Sequence, residues 1–402
     1  MNIIVIGDVS STNLGDPILT YSTEHIIKQI CQDKGIDDVK TKIFDLADRS
    51  IKYVPTSEKM REICTDSAVT APTKKSVTRT YRTINIRTKI KWLIKDRKKF
   101  RNRLENHIDR NDDNLFVIAG GALLSRSLYY SLRIAEVIQI AEKHGYKVIF
   151  NAVGIEKCSG KSSSRKLIQS FLKKDVIIGF STRDSKESVY SLTAKNSFFN
   201  QVPDPGIWSS EAFGVSKTES ETVGIGTISA EAYTSVVPED KRAESVNCEA
   251  LFAFWKAIID ELESRDIPWK LFTNGGAKDC QMAFTFLKRN GYSIEEHLVP
   301  PADDPRKLVE QIAQFKSVVA HRLHALIIAS SLGIPVVPVV WSNKVVNFSK
   351  LINNQSYIWP TIENGKKAAK LLTREQSAYE SYDNIEKCKE ASYEYLAVFI
   401  KK

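Results

Sequence analysis

Cysteine is scarce and dispersed in this 402-residue sequence. The six residues, Cys31, Cys64, Cys158, Cys248, Cys280 and Cys388, form no C-x-x-C pair. A zinc site or a disulfide framework is therefore not expected, and a reducing cytoplasm is the compartment that fits. The N-terminal MNIIVIGD has no basic n-region and meets Asp8 too soon for a signal peptide, so it reads as a buried first strand. No G-x-G-x-x-G follows that strand, which removes the dinucleotide fingerprint. No internal repeat is visible. One uncharged run, the 17 residues 325–341, is about the minimum length for a membrane span. Gly333, Pro335 and Pro338 interrupt it, and Val336, Val337, Val339 and Val340 favour a strand. It predicts a short helix over 324–332, a stop at Gly333 and a buried strand.

What is present is ordinary soluble composition. Hydrophobic residues make up 42% and charged residues 26% of the chain. The length favours two domains over one core. A net charge of +10 favours anionic partners. That charge is concentrated in residues 74–106, where thirteen Lys/Arg face only Asp96 and Glu105, so the rest of the chain is close to neutral. Ile86, Ile90, Leu93, Ile94 and Leu104 recur there at helical spacing, with Trp92 nearby. The stretch reads as a solvated helix or insertion, or as an amphipathic element for an anionic membrane surface. No nucleic-acid motif accompanies it, and no nucleic-acid partner is expected.

Strand and helix signals alternate along the first half. Strands are predicted at 2–6, 115–119, 147–153 and 176–181, with helices from Asp16 to about Ile30 and over 129–144. A second alternating series begins near Thr222, with strands at 222–226, 269–273 and 317–320 and helices over 248–264, 277–290 and 308–315. The pattern predicts an α/β protein of two Rossmann-like domains facing across a cleft, spanning 1–210 and 211–350, with a helical tail over 351–402. Ligands in such sheets sit beyond the carboxyl ends of the strands.

The candidate residues fall at those ends. Asn13, Gly15 and Asp16 separate the first strand from the first helix, where Asp16 reads as an N-cap and Pro17 as the first helical residue. Gly120 and Gly121 end the next strand and allow close backbone approach. Arg126 lies nearby as a weaker anion ligand. Arg183 follows the strand ending at Ser181 and can hold a carboxylate or phosphate through two parallel N–H donors, or pair with Asp184. Asp204 sits in the Pro-rich turn VPDPGIW, where a structural role is expected. His321, Arg322 and His324 stand at a strand end and a helix start, which already favours an anion. A histidine there can exchange a proton near neutral pH. Lys344 is expected at the end of the next strand, about 5 Å away if the strands are neighbours. No Asp or Glu lies within this cluster, so no metal is expected.

These segments, in this order, resemble the polysaccharide pyruvyl transferase family. The resemblance rests on NLGD at 13–16, GGALL at 120–124, STRDSKES at 181–188, DPG at 204–206, and HRLHALIIASSLGIPVVPV at 321–339 followed by NKVVNF. It covers about residues 1–351, and the last motif is the most specific. Ala122 stands where a third glycine is common, and Gly206 where an alanine is usual. The resemblance implies a glycosyltransferase-B-like fold. It also implies transfer of pyruvate from phosphoenolpyruvate onto two hydroxyls of a sugar, as a cyclic ketal with loss of phosphate, and it requires no cofactor. In that reading His324 is the general acid. Arg183 and Lys344 hold the donor, and Arg322 is added from its charge and placement. Asn13 and Asp16 face the acceptor, a bacterial surface polysaccharide or its lipid-linked precursor, with Asp16 as a base. The expected location is cytoplasmic, free or at the inner face of the plasma membrane. A nucleotide-sugar glycosyltransferase and a non-catalytic glycan- or membrane-binding scaffold remain open on the same residues.

Overall fold

In the computed structural model the described residues are 1–47, 49, 86–110, 113–125, 127–156, 162–192, 199–235, 246–373 and 378–401. Arg126, Cys64, Cys158 and the first part of the basic stretch, 74–85, lie outside them.

Two parallel sheets organise the chain. The first has the order β2-β1-β3-β4-β5-β6, with β1 Asn2–Gly7, β2 Lys40–Asp45, β3 Asn114–Ala119, β4 Lys147–Val153, β5 Ile177–Thr182 and β6 Asn200–Gln201. The second has the order β10-β9-β7-β8, with β7 Val223–Gly226, β8 Trp269–Phe272, β9 Ser317–Ala320 and β10 Val336–Pro338. Every ladder is parallel. The reason is visible in the sequence: NIIVIG and SVVA are buried along their whole length, as strands covered by helices on both faces must be. β2, KTKIFD, is an edge strand and only its Phe44 is buried, so it gives no continuous apolar run and is not legible as a strand.

Strand order reverses between β1 and β3 in the first sheet and between β7 and β9 in the second. At such switch points the loops leave in opposite directions and open a crevice at the carboxyl ends. Helices α1 (Gly15–Asp33), α2 (Arg97–Glu105) and α3 (Leu128–His144) flank the first sheet. Helices α4 (Cys248–Glu263), α5 (Ala277–Arg289) and α6 (Leu323–Ser331) flank the second. β10 leads to α7 (Asn343–Leu351).

The connection between the sheets carries its own structure. A 3-10 turn, Pro205–Trp208, and a short helix, Ser209–Phe213, place Ile207 and Phe213 in a core shared with Leu14 and Ile18 of the first half and with α6 of the second. The last helix, α8 (Ala378–Ala397), returns to the first sheet. Tyr395, Leu396 and Ile400 pack with Ile3, Val5 and Val117, and Lys34 Nζ donates to the carbonyls of Ala397 (2.5 Å) and Ile400 (2.8 Å). The tail thus completes the first core. Among the described residues no helix is long and apolar enough to cross a membrane. The uncharged run folds as α6, a turn at Gly333 and β10.

Candidate active site

The two switch points face each other, and Gly15 of the first lies against His324 of the second. A Cβ on Gly15 would stand 1.9 Å from His324 Nδ1 and 2.3 Å from its Cγ. Only a glycine lets the start of α1 lie against that ring. The loop before it is held on the second domain by a backbone bond from Leu14 N to Asn274 O of 3.0 Å. Asp16 does not cap the helix. The helix starts at Gly15 after Leu14, with no side-chain cap, and the Asp16 carboxylate instead accepts from Ser11 Oγ (3.0 Å) and Asn13 Nδ2 (3.3 Å). Burial, and then the neighbouring Asp8 carboxylate, raise its pKa to about 6.

His324 is buried in the first turn of α6. Its Nε2 is 3.4 Å from Arg183 Nη1 and 4.0 Å from Asp204 Oδ2. Arg183 and Asp204 form a buried ion pair. Asp204 is held in place because its other oxygen accepts from Gly206 N at 3.0 Å, opening the 3-10 turn. The local sequence VPDPGIW points to a turn at Asp204. The turn is real, and it also aims a carboxylate at Arg183. Burial lowers the His324 pKa to about 4; Asp204 opposes this, while Arg183, Lys344 and Arg322 add to it. The ring is therefore a neutral imidazole near pH 7.

Lys344 is not at a strand end. β10 stops at Pro338, and Lys344 lies in the first turn of α7. It still reaches the site, since Arg183, Asp204, Leu323, Ile327, Lys344 and Phe348 line one cavity between the domains.

Two of the predicted ligands point elsewhere. His321 is an interior residue: its Nδ1 is 3.1 Å from Gly226 O, and the rings of Tyr233, Phe254 and Trp255 stand edge-on around it at 5.7–6.2 Å. Burial lowers its pKa to about 3. Three positions separate it from His324, and the change from strand to helix between them turns the two rings to different surroundings. Arg322 is engaged by Asp279 through two bonds, Nε–Oδ2 at 2.7 Å and Nη2–Oδ1 at 2.9 Å. Asp279 also takes Ser229 N at 2.9 Å. Arg322 thereby ties α6 to α5.

The glycine pair also does its work by packing. A Cβ on Gly120 would meet Leu19 of α1 at 2.7 Å, so this glycine lets α1 close on β3. Gly121 accepts from Gly154 N at 2.6 Å, and a Cβ on Gly154 would lie 3.1 Å from Arg183 Nη2. Gly154, which sequence reading missed, thus belongs to the wall behind Arg183. Gly206 has little spare room: a Cβ would sit 3.1–3.2 Å from Asp204 Oδ1, Ile327 and Leu19.

On the first domain's side a second polar group adjoins Asp16. Arg49 Nη1 pairs with Asp8 Oδ1 at 2.5 Å, Arg49 Nη2 donates to Tyr130 Oη at 3.0 Å, and Tyr130 donates to Asp8. The only sequence signal for it was Asp8 at the end of β1. Among the described residues no group of three or more metal-ligating side chains converges.

The polysaccharide pyruvyl transferase family model matches residues 13–343. That span includes every candidate except Lys344, one residue beyond its end. A putative UDP-N-acetylglucosamine 2-epimerase from Listeria monocytogenes is similar in structure at 10% identity and a TM-score of 0.53, covering 99% of this chain and 94% of its own. UDP-GlcNAc 2-epimerase from Methanocaldococcus jannaschii is similar at 10% identity and a TM-score of 0.53, covering 99% of both chains. At such identity the likeness is one of fold, the glycosyltransferase-B-like pairing of two Rossmann-like domains. No curated protein sequence matches. With its motifs gathered at one cleft and the match running over most of its length, the chain is a transferase and belongs to the polysaccharide pyruvyl transferase family.

Proposed function

We propose that the enzyme transfers pyruvate from phosphoenolpyruvate to two hydroxyls of one sugar in a surface polysaccharide or its lipid-linked precursor, forming a cyclic ketal. The observation that carries this reading is that Arg183 and Lys344 line one cavity, His324 stands 3.4 Å from Arg183, and Gly15, beside Asp16, lies against the His324 ring.

The donor has a phosphate and a carboxylate, and two cations match it. Arg183 keeps its planar donors ordered by Asp204 before the donor arrives. His324 is neutral near pH 7, but an incoming anion favours its charged form. It then gives its proton to the methylene carbon, and the central carbon becomes oxocarbenium-like. One sugar hydroxyl adds to that carbon and loses its proton to Asp16, whose raised pKa makes it a stronger base than an ordinary carboxylate. Phosphate leaves, and the second hydroxyl closes the ring. Of the two hydroxyl protons, one restores the proton that His324 gave to the new methyl group, and the other leaves with phosphate.

A thermal-shift measurement tests the donor. Phosphoenolpyruvate is expected to raise the melting temperature by mass action, and the shift is expected to shrink in Arg183→Lys and Lys344→Ala. A shift with UDP-, GDP- or CMP-sugars and none with phosphoenolpyruvate would overturn the reading in favour of a nucleotide-sugar glycosyltransferase. Full biological function in a His324→Ala strain would instead favour a scaffold.

A further inference from the structure

The described part of the basic stretch, residues 86–105, is one helical run. Residues 86–91 are helical, Trp92–Asp96 form a π-turn, and α2 follows. One face is fastened to the protein. Trp92, Phe100 and Leu104 are buried, with the Phe100 ring 5.4 Å from Trp92 and 5.3 Å from Phe44 of β2. Arg97 Nε donates to Glu136 of α3 at 2.6 Å, and Arg101 Nε does the same.

The other face is apolar and open. Ile86, Ile90, Leu93 and Ile94 are 55%, 52%, 56% and 81% exposed, at the i, i+4, i+7, i+8 spacing of a single stripe. Nine large hydrophobics are exposed among the described residues, and four of them fall in this nine-residue segment. The run is anchored without them, so the stripe is not needed to hold it. Nine Lys/Arg accompany it between residues 86 and 105, against Asp96 and Glu105. Of these, Arg87, Lys89, Lys91, Lys95, Lys98 and Lys99 are exposed. A polyanionic nucleic acid would use the charge but has no place for four aliphatic side chains. A bilayer with anionic headgroups uses both.

The placement gives the face a purpose. α2 lies at the edge strand β2, and Arg103 Nη2 donates to Asp45 O at 3.0 Å. The Asp45 carboxylate in turn accepts from Ser10 Oγ at 2.6 Å and Val9 N at 3.1 Å, in the loop that leads to Asn13 and Asp16. We propose that the 86–99 face docks on an anionic bilayer surface and sets the Asp16 side of the cleft towards a lipid-linked saccharide. The second half of this proposal rests on the acceptor reading above; bilayer docking does not.

The test is flotation of the full chain with phosphatidylcholine vesicles, with and without phosphatidylglycerol, at low and high salt. The wild type is expected to float only with the anionic vesicles, and less at high salt. Changing Ile90, Leu93 and Ile94 together to Ser is expected to lower the partition coefficient about tenfold or more. Changing Lys89, Lys95 and Lys98 together to Gln is expected to lower it about a hundredfold, from roughly fivefold per charge. All six side chains are exposed, so melting temperatures and the phosphoenolpyruvate shift should stay at wild-type values. No flotation, or equal flotation of the Ser variant, overturns the proposal. So does a dimer that the Ser variant dissociates, or duplex binding that the Ser variant leaves intact. Flotation without a phosphoenolpyruvate shift would overturn the donor reading and leave docking standing.

Discussion

Two strand-to-helix junctions meet in the cleft, and they carry opposite chemistry. The β1–α1 junction of the first domain brings carboxylates, Asp8 and Asp16; the β9–α6 junction of the second brings the His324 imidazole, while its Arg322 turns to Asp279. Burial acts on both sides and pushes each group towards its neutral form, Asp16 up to about 6 and His324 down to about 4. The difference teaches that one physical cause prepares two roles. In the proposed reaction, desolvation would make the carboxylate a better base and, once the donor has charged it, the imidazole a better acid. The His324 shift does not belong to its own domain alone, since Gly15, Arg183 and Asp204 of the first half stand against the ring.

The largest effect is expected from removing the imidazole side of the comparison. His324→Gln should lower turnover about a thousandfold, the middle of the range for a proton-transfer residue, with little change in melting temperature. Phosphate release measures it. Gly15→Ala breaks the contact between the two junctions directly. With a Cβ 1.9 Å from the imidazole, either the ring or α1 must move, and turnover should fall about a hundredfold from misplacement alone. A wild-type rate in this variant would show that the ring is not used where it stands.

Asp16→Asn sharpens the carboxylate side. Asp16 is ionised above about pH 6, so kcat/KM should rise with pH through that value in the wild type. In the variant the rise should vanish and the rate fall about tenfold to a hundredfold. An unchanged acid limb would remove Asp16 from the role of base.

The smallest effect is on stability, and it separates the two histidines. The folded values of His324 and His321, about 4 and about 3, lie below the ordinary 6.5. The unfolded chain therefore binds the protons first, and stability is full above about pH 6.5 and is lost as pH falls. At pH 5 each histidine costs about 2 kcal/mol relative to pH 7. Asp16, whose folded value is raised, returns about 1 kcal/mol over the same interval. Thermal melts at pH 7 and 5 should show a net loss of about 3 kcal/mol, and His324→Gln should reduce that loss.

Much of the fold was legible because burial was continuous. β3, β4 and β9 are apolar runs bounded by helix signals, and the strand read at 317–320 is Ser317–Ala320 in the structure. β2 was not legible, because an edge strand alternates with solvent. Asp16 read as a cap, yet the helix begins one residue earlier and leaves its carboxylate to Ser11 and Asn13. Asp204 read as a turn residue because its local sequence says only that much. Its ion pair lies with Arg183, 21 positions away. Arg322 read as a free cation because Asp279, 43 positions away, is invisible from its surroundings.

By itself the sequence determined which residue types stand at the strand ends, since strands and helices follow from periodicity and turns from local chemistry. Only the tertiary structure decided which of those residues share a space. His321 and His324 have the same side chain and nearly the same address. One became an interior residue and the other faces Gly15 and Arg183, because a side chain's partners are set by packing between distant segments and not by its neighbours in the chain.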